Sequence, residues 1–193
     1  IEWLDFNFNR QAMWPDAELT GLEFLNDMDY EHVKADWAGR WPGRGHNWDA
    51  VAWIADETKD ANRKLLLVEA KAEATEVSQN CGAKNPASIQ MISDEFDTAR
   101  ENLDVQNPGG DWMKEYYQFA NRLAVLSFLD EHNINAHLLF VYFCGDLRGA
   151  CRNSPESAEE WQPILEAQHD HIGTIGNPEL AARVHKLFLP VAE

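Results

Sequence analysis

The apolar positions of this 193-residue chain fall into short blocks, and their spacing switches between the two periods of regular backbone. Two blocks have the length of buried strands. One is Ala50-Val51-Ala52-Trp53-Ile54, entered through Asn47-Trp48-Asp49; the other is Leu65-Leu66-Leu67-Val68, which runs on into Glu69-Ala70-Lys71. The polar stretch 56–63 between them predicts a turn that sets the two strands side by side. A third block, Ala136 to Phe143, follows the turn Asn133-Ile134-Asn135 and, His137 apart, has the apolar character of a buried parallel strand. Helical spacing places Leu19, Leu22, Leu25 and Met28 on a helix over 15–28, and Ile89, Ile92, Phe96 and Ala99 on one over 88–103. It also predicts a long helix over 111–132 carrying Trp112, Tyr116, Phe119 and Leu123, and a later one opened by Ser154-Pro155-Glu156. Weaker patterns predict an edge strand from Trp3 to Phe8, a first core strand over 30–37, an extension of the Leu65 strand over 72–77 and a last strand over 183–191. The sum is an α/β domain over 1–193, with a central mixed sheet flanked by helices.

Charge interrupts this pattern at one place. In an extended chain Glu69 and Lys71 share a face, so a carboxylate and an ammonium emerge together from the end of a strand whose other positions read as core. Desolvated charges cost several kcal/mol each unless paired, hydrogen-bonded or metal-bound. If the two organising strands are neighbours, Asp49 sits beside Glu69, and two carboxylates with the Ala70 carbonyl form a hard oxygen site suited to Mg²⁺ or Mn²⁺. Lys71 then stands one side chain from an attacking water.

These residues resemble a known family. Asp49, followed after a hairpin by Glu69-Ala70-Lys71, looks like the active-site signature of the PD-(D/E)XK nucleases, the restriction-endonuclease-like proteins. The resemblance covers roughly residues 15 to 145. It is similar to that of uncharacterised bacterial members in Tyr117-Gln118-Phe119-Ala120-Asn121-Arg122 and Leu138-Leu139-Phe140-Val141-Tyr142-Phe143, with Trp48 in place of the motif's proline. It implies an α-β-β-β-α-β core, here followed by a further helix and strand, and a metal-dependent nuclease using Asp49, Glu69 and Lys71. It also implies a further metal ligand from the first helix, for which Glu18 is nearer the apolar stripe than Glu23. The long helix would lie under the active site, with Gln118 in the catalytic set and Asn121 and Arg122 reaching the substrate or Lys71. On spacing alone Gln118 and Arg122 stack at i and i+4 with Asn121 beside them, a polar stripe on a buried helix that equally suits a structural cluster.

Composition adds constraints. A formal charge of −17, from 33 acidic and 16 basic residues, opposes nonspecific binding of a polyanion. One local exception is Arg40-Trp41-Pro42-Gly43-Arg44-Gly45-His46, where Arg40, Arg44 and His46 precede Asp49 without an intervening acid and could receive a phosphate. The same charge supports a second reading, a non-catalytic acidic protein of this fold that binds a basic protein partner, as an immunity protein or nucleic-acid mimic does. Cys81, Cys144 and Cys151 show no CxxC spacing, so a reducing, cytoplasmic setting is expected. No apolar run approaches the ~20 residues that span a bilayer. Phosphate-binding glycine motifs are missing, and His169-Asp170-His171 and His185 read as solvated imidazoles rather than zinc ligands.

Overall fold

A computed structural model describes residues 1–4, 19–25, 28–43, 45–55, 63–105, 109–146 and 154–191. Its centre is a mixed five-stranded sheet in the order β1, β4, β5, β6, β7. The strands are β1 (Glu2–Trp3), β4 (Ala50–Ile54), β5 (Lys64–Lys71), β6 (Ala136–Cys144) and β7 (Val184–Pro190). β4 runs antiparallel to β5, with Ala50 opposite Val68, while β5, β6 and β7 are mutually parallel. A two-stranded ribbon, β2 (Leu19–Thr20) with β3 (Asn47–Trp48), stands apart from this sheet. Helices α1 (Glu31–Arg40), α2 (Pro86–Asn102), α3 (Tyr117–Glu131), α4 (Ala158–Ile172) and α5 (Pro178–Arg183) supply the connections and cover. The parallel pairs need long crossovers, and α2–α3 and α4–α5 provide them. No helix among the described residues is long and apolar enough to cross a membrane.

The two faces of β5 enter different clusters. Leu65 and Leu67 join the main core with Phe119, Leu123 and Leu126 of α3, whereas Leu66 and Val68 pack with Ala50, Ala52 and Val141 on the other face. Every residue of α3 from Phe119 to Leu129 is buried, Asn121, Arg122 and Ser127 included. A helix enclosed all round has no solvent face on which to put its polar side chains, so each must find a partner inside. Three buried tryptophans tie the layers together through their indole N–H groups: Trp48 to the Gly21 carbonyl at 3.0 Å, Trp112 to Ile172 at 3.0 Å and Trp161 to Phe143 at 3.1 Å. Gly45, at φ 88°, is a required glycine. A Cβ there would lie 2.9 Å from the Gly21 Cα and 3.3 Å from the Trp37 indole nitrogen.

Several local expectations are overturned. Residues 30–37 are not a strand: Tyr30 ends a 3₁₀ turn and 31–37 open α1, because Val33 and Trp37, four apart, both turn into the core. The helix over 15–28 is replaced at its described positions by β2, a turn at 21–24 and a 3₁₀ turn at Met28–Tyr30, though Leu22 and Leu25 are core residues as their apolar character requires. Residues 72–77 leave the sheet in a 3₁₀ turn whose capping box pairs the Glu73 and Glu76 side chains with backbone N–H groups. The long helix starts at Tyr117 rather than 111, since Glu115 and Tyr116 have φ of 40° and 48°. On α2, Ile89 is exposed and Glu95 takes an inward position. The strand expected over 3–8 is described only as Glu2–Trp3; its remainder, the 56–62 turn and Cys151 lie outside the described residues.

Glu95 is 4% exposed, with Oε1 lacking a hydrogen-bond partner among the described residues and Oε2 4.0 Å from Arg40. Burial raises its pKa to about 7, opposed by Arg40 and reinforced by Glu131 and Asp36. A carboxyl with a folded pKa above its unfolded value takes up a proton on folding. Its cost to stability is absent below about 4.5, grows as pH rises and is complete above about 7. Glu95→Gln should therefore gain on the order of 2–3 kcal/mol over the parent between about pH 5 and about pH 8. Urea denaturation of both proteins at the two pH values measures this. A difference that does not change with pH would show that Glu95 titrates normally.

Candidate functional site

β5 carries the site because its C-terminal end passes from enclosed core into a polar cavity. The cavity, about 670 Å³, is lined by His46, Asp49, Glu69, Lys71, Gln118, Asn121 and Arg122, and also by Gln79, Asn80 and Tyr117. Asp49 sits at the break between β3 and β4. There the chain moves from the small ribbon to the main sheet, and the Asp49 N–H still reaches the Val68 carbonyl at 3.2 Å. Its Oδ2 accepts the Ala70 N–H at 2.6 Å, which fixes the carboxylate beside the Glu69 strand end.

Glu69 and Lys71 point toward α3, as alternation requires, and only 7% and 8% of each remains exposed. Lys71 Nζ donates to Glu69 Oε1. Arg122 approaches from α3, its Nε 3.0 Å from Glu69 Oε2 and a terminal nitrogen on the same oxygen. The rest of the guanidinium is also satisfied. One terminal nitrogen donates to Asn121 Oδ1 at 2.8 Å, the other reaches the Asn47 carbonyl at 2.7 Å, and the plane lies 4.5 Å from the Trp48 ring centroid. Arg122 is thus a fixed strut to Glu69, and its donors are already engaged by protein groups.

Partial burial pushes the Asp49 carboxyl above its ordinary value; the Ala70 N–H opposes this and the Glu69 charge adds to it. His46, buried among Trp37, Trp41 and Trp48, is held well below its usual value by desolvation and then by Arg122, so it is neutral. Burial raises the Tyr117 phenol, with the Cys81 thiol contributing, and Tyr117 hydrogen-bonds to Asn121. Gln118 keeps a buried Oε1 with no hydrogen-bond partner among the described residues.

The start of α3 is strained where it meets this cavity. The consecutive left-handed residues Glu115 and Tyr116 are held by the Glu115 N–H on Asn80 Oδ1 at 2.8 Å and the Tyr117 N–H on the Gln79 carbonyl at 2.9 Å. The segment 79–80 thus lines the cavity and also aims the helix that brings Gln118, Asn121 and Arg122.

Of the expected site residues that are described, all but one come together. Arg40 ends α1 away from the cavity, bonded to Glu131 at 2.8 Å and lying 5.1 Å from the Phe128 ring centroid. Glu18 and Arg44 lie outside the described residues. Sequence reading missed Gln79, Asn80 and Tyr117, which belong to a turn-rich stretch and a helix start with no periodic signal. Among the described residues no three His, Cys, Asp or Glu side chains gather into a metal-holding group. No family model, curated protein or solved structure matches the chain.

Arg122→Met should cost about 3–5 kcal/mol, because it leaves Glu69 buried with one partner fewer. The double variant Glu69→Gln, Arg122→Met should recover part of that loss, as read in a denaturation cycle. A cost below about 1 kcal/mol for the single change would mean that Glu69 is solvated rather than pinned.

Proposed function

We propose that the chain is a metal-dependent phosphodiesterase of the PD-(D/E)XK type that cleaves nucleic acid with Asp49, Glu69 and Lys71. The observation that supports this reading is the convergence of two carboxylates and an ammonium, from two paired strands, on one polar cavity at the C-terminal end of β5. Open α/β sheets commonly place their sites at such strand ends. The central mixed sheet agrees with a restriction-endonuclease-like core in outline, while Trp48 at the proline position and a helix over 31–40 depart from it.

The donor set suits a small hard cation, with carboxylates at 49 and 69 and the Ala70 carbonyl between them. Asp49 fits, because desolvation beside a second carboxylate leaves it short of positive charge. Glu69 fits only on giving up Lys71 or Arg122, since each of its oxygens already meets a cation. Mg²⁺ or Mn²⁺ held there would acidify a water and offset charge on the scissile phosphate. Released from Glu69, Lys71 would orient that water or donate to the phosphate oxygens. Gln118 offers an unengaged acceptor to the water's proton, and Arg122 with Asn121 keeps the Glu69 strand end in place.

A second reading rests on a different observation. Both cations described at the cavity, Lys71 and Arg122, are engaged by Glu69, and the whole chain carries −17. That arrangement suits a non-catalytic acidic protein that binds a basic protein, in a salt-sensitive way.

Calorimetric titration of Mn²⁺ into the parent and into the Asp49→Asn, Glu69→Gln variant separates the two. Saturable binding lost in the variant is expected for the nuclease; equal, weak binding in both would favour the interaction protein. Protons compete with the cation for Asp49, so its raised pKa should make Mn²⁺ affinity fall from a higher pH than an ordinary aspartate would. On single- and double-stranded DNA and RNA, Lys71→Ala should lower cleavage by about 10²-fold or more while retaining Mn²⁺ binding. An active Asp49→Ala, Lys71→Ala double variant would sink the mechanism.

A further inference from the structure

A second cavity, about 1070 Å³, lies between α4, the turn at 173–177, α5 and β7. Helix α3 separates it from the first: Phe119 and Leu123 face this cavity, while Gln118, Asn121 and Arg122 face the other. The two aromatic and aliphatic side chains form an apolar floor, continued by Leu180 and Val184. Ile175, also in the lining, is 66% exposed.

The charges around this floor are of both signs. Lys186 projects from β7, Glu166 and Asp170 from α4. Burial lowers the Lys186 pKa and the charge of the exposed Glu166 carboxylate partly restores it, so the two groups lie within electrostatic reach of each other. His169 also lines the cavity. Its Nδ1 is 2.7 Å from Thr174 Oγ1, its ring packs edge-on to Phe119 at 5.2 Å, and burial, with Lys186 nearby, brings its pKa to about 4, so it is a neutral hydrogen-bonding group. A ligand carrying one charge would meet attraction from one wall and repulsion from the other. A ligand with both charges a few bonds apart, and an apolar tail, meets attraction from both and covers the floor.

We propose that this cavity binds a free α-amino acid with a large apolar side chain, its carboxylate at Lys186, its ammonium at Glu166 and Asp170, and its side chain on Phe119 and Leu123. The cavity, about 1070 Å³, is close to the upper end of the size range of small-molecule sites, roughly 300–1,000 Å³, and combines an apolar lining with a few convergent polar groups. The assignment is independent of the phosphodiesterase reading, because it uses none of the residues of the first cavity.

The test is calorimetric titration of the full chain with L-leucine, beside isocaproate, which lacks the ammonium, and isoamylamine, which lacks the carboxylate. Leucine should bind saturably, and each analogue about tenfold more weakly or worse, the loss of one charge-assisted contact. Lys186→Met should weaken leucine and isocaproate by a similar factor but not isoamylamine, whose ammonium loses a like-charged neighbour and should bind as well as before or better. Ala181→Trp, which fills the lining from an exposed position of α5, should abolish binding while thermal unfolding stays near the parent's. No saturable binding of leucine, an analogue that binds as tightly as leucine, or leucine affinity unchanged in both variants would each overturn the proposal.

Discussion

The structure depends on how a buried carboxylate is neutralised. Glu69 lies on the central strand, almost fully withdrawn from water, with Lys71 on one oxygen and Arg122 on the other. Leaving such a group unpaired would cost several kcal/mol, a large share of the stability of any domain this size. The sheet and α3 therefore cannot be placed independently. Arg122 must face β5, which sets the rotation of α3 about its axis and brings Phe119, Leu123 and Leu126 onto the main core. The same guanidinium reaches the Asn47 carbonyl and stacks on Trp48, so the small ribbon is located by the same ion pair.

From that constraint the cavity at the end of β5 follows. Lys71 and Glu69 share a face because of the strand's period, Asp49 is brought alongside by the antiparallel register of β4, and α3 closes the third side. Most polar groups here are tolerated because they touch one another, while Gln118 Oε1 and His46 Nε2 stay buried without a hydrogen-bond partner among the described residues. Strain at Glu115 and Tyr116 sits at the same place, held by two hydrogen bonds from the 79–80 segment. A site built this way has its charges in equilibrium with one another before any ligand arrives. Whatever binds at Asp49 and Glu69 must therefore offer more than Lys71 and Arg122 already do.

The opposite side of α3 has a different character. There an apolar floor is bordered by opposed charges on α4 and β7, and a neutral His169 joins the lining. One helix thus separates a polar cavity from an amphipathic one, and its alternating sets of residues, 118, 121 and 122 against 119 and 123, are what divide them.

Sequence alone marked the strands β4, β5 and β6 and the hairpin pairing of β4 with β5, because apolar runs bounded by polar turns leave few other ways to be buried; that β6 lies beside β5 only the fold shows. It also put Glu69 and Lys71 on one face of their strand, with Asp49 beside Glu69 on condition that the two strands pair, and Gln118, Asn121 and Arg122 were visible as polar residues in a buried helix. Tertiary structure decided the rest. Residues 31–37 became a helix because Val33 and Trp37 needed the same core, and Arg40 was drawn to Glu131 rather than to a phosphate-facing loop. Only the folded chain shows that Arg122 spends its donors on Glu69, and that Gln79 and Asn80 border the cavity. Pairing between residues 53 positions apart depends on how a helix rotates against a sheet, and no local period records that.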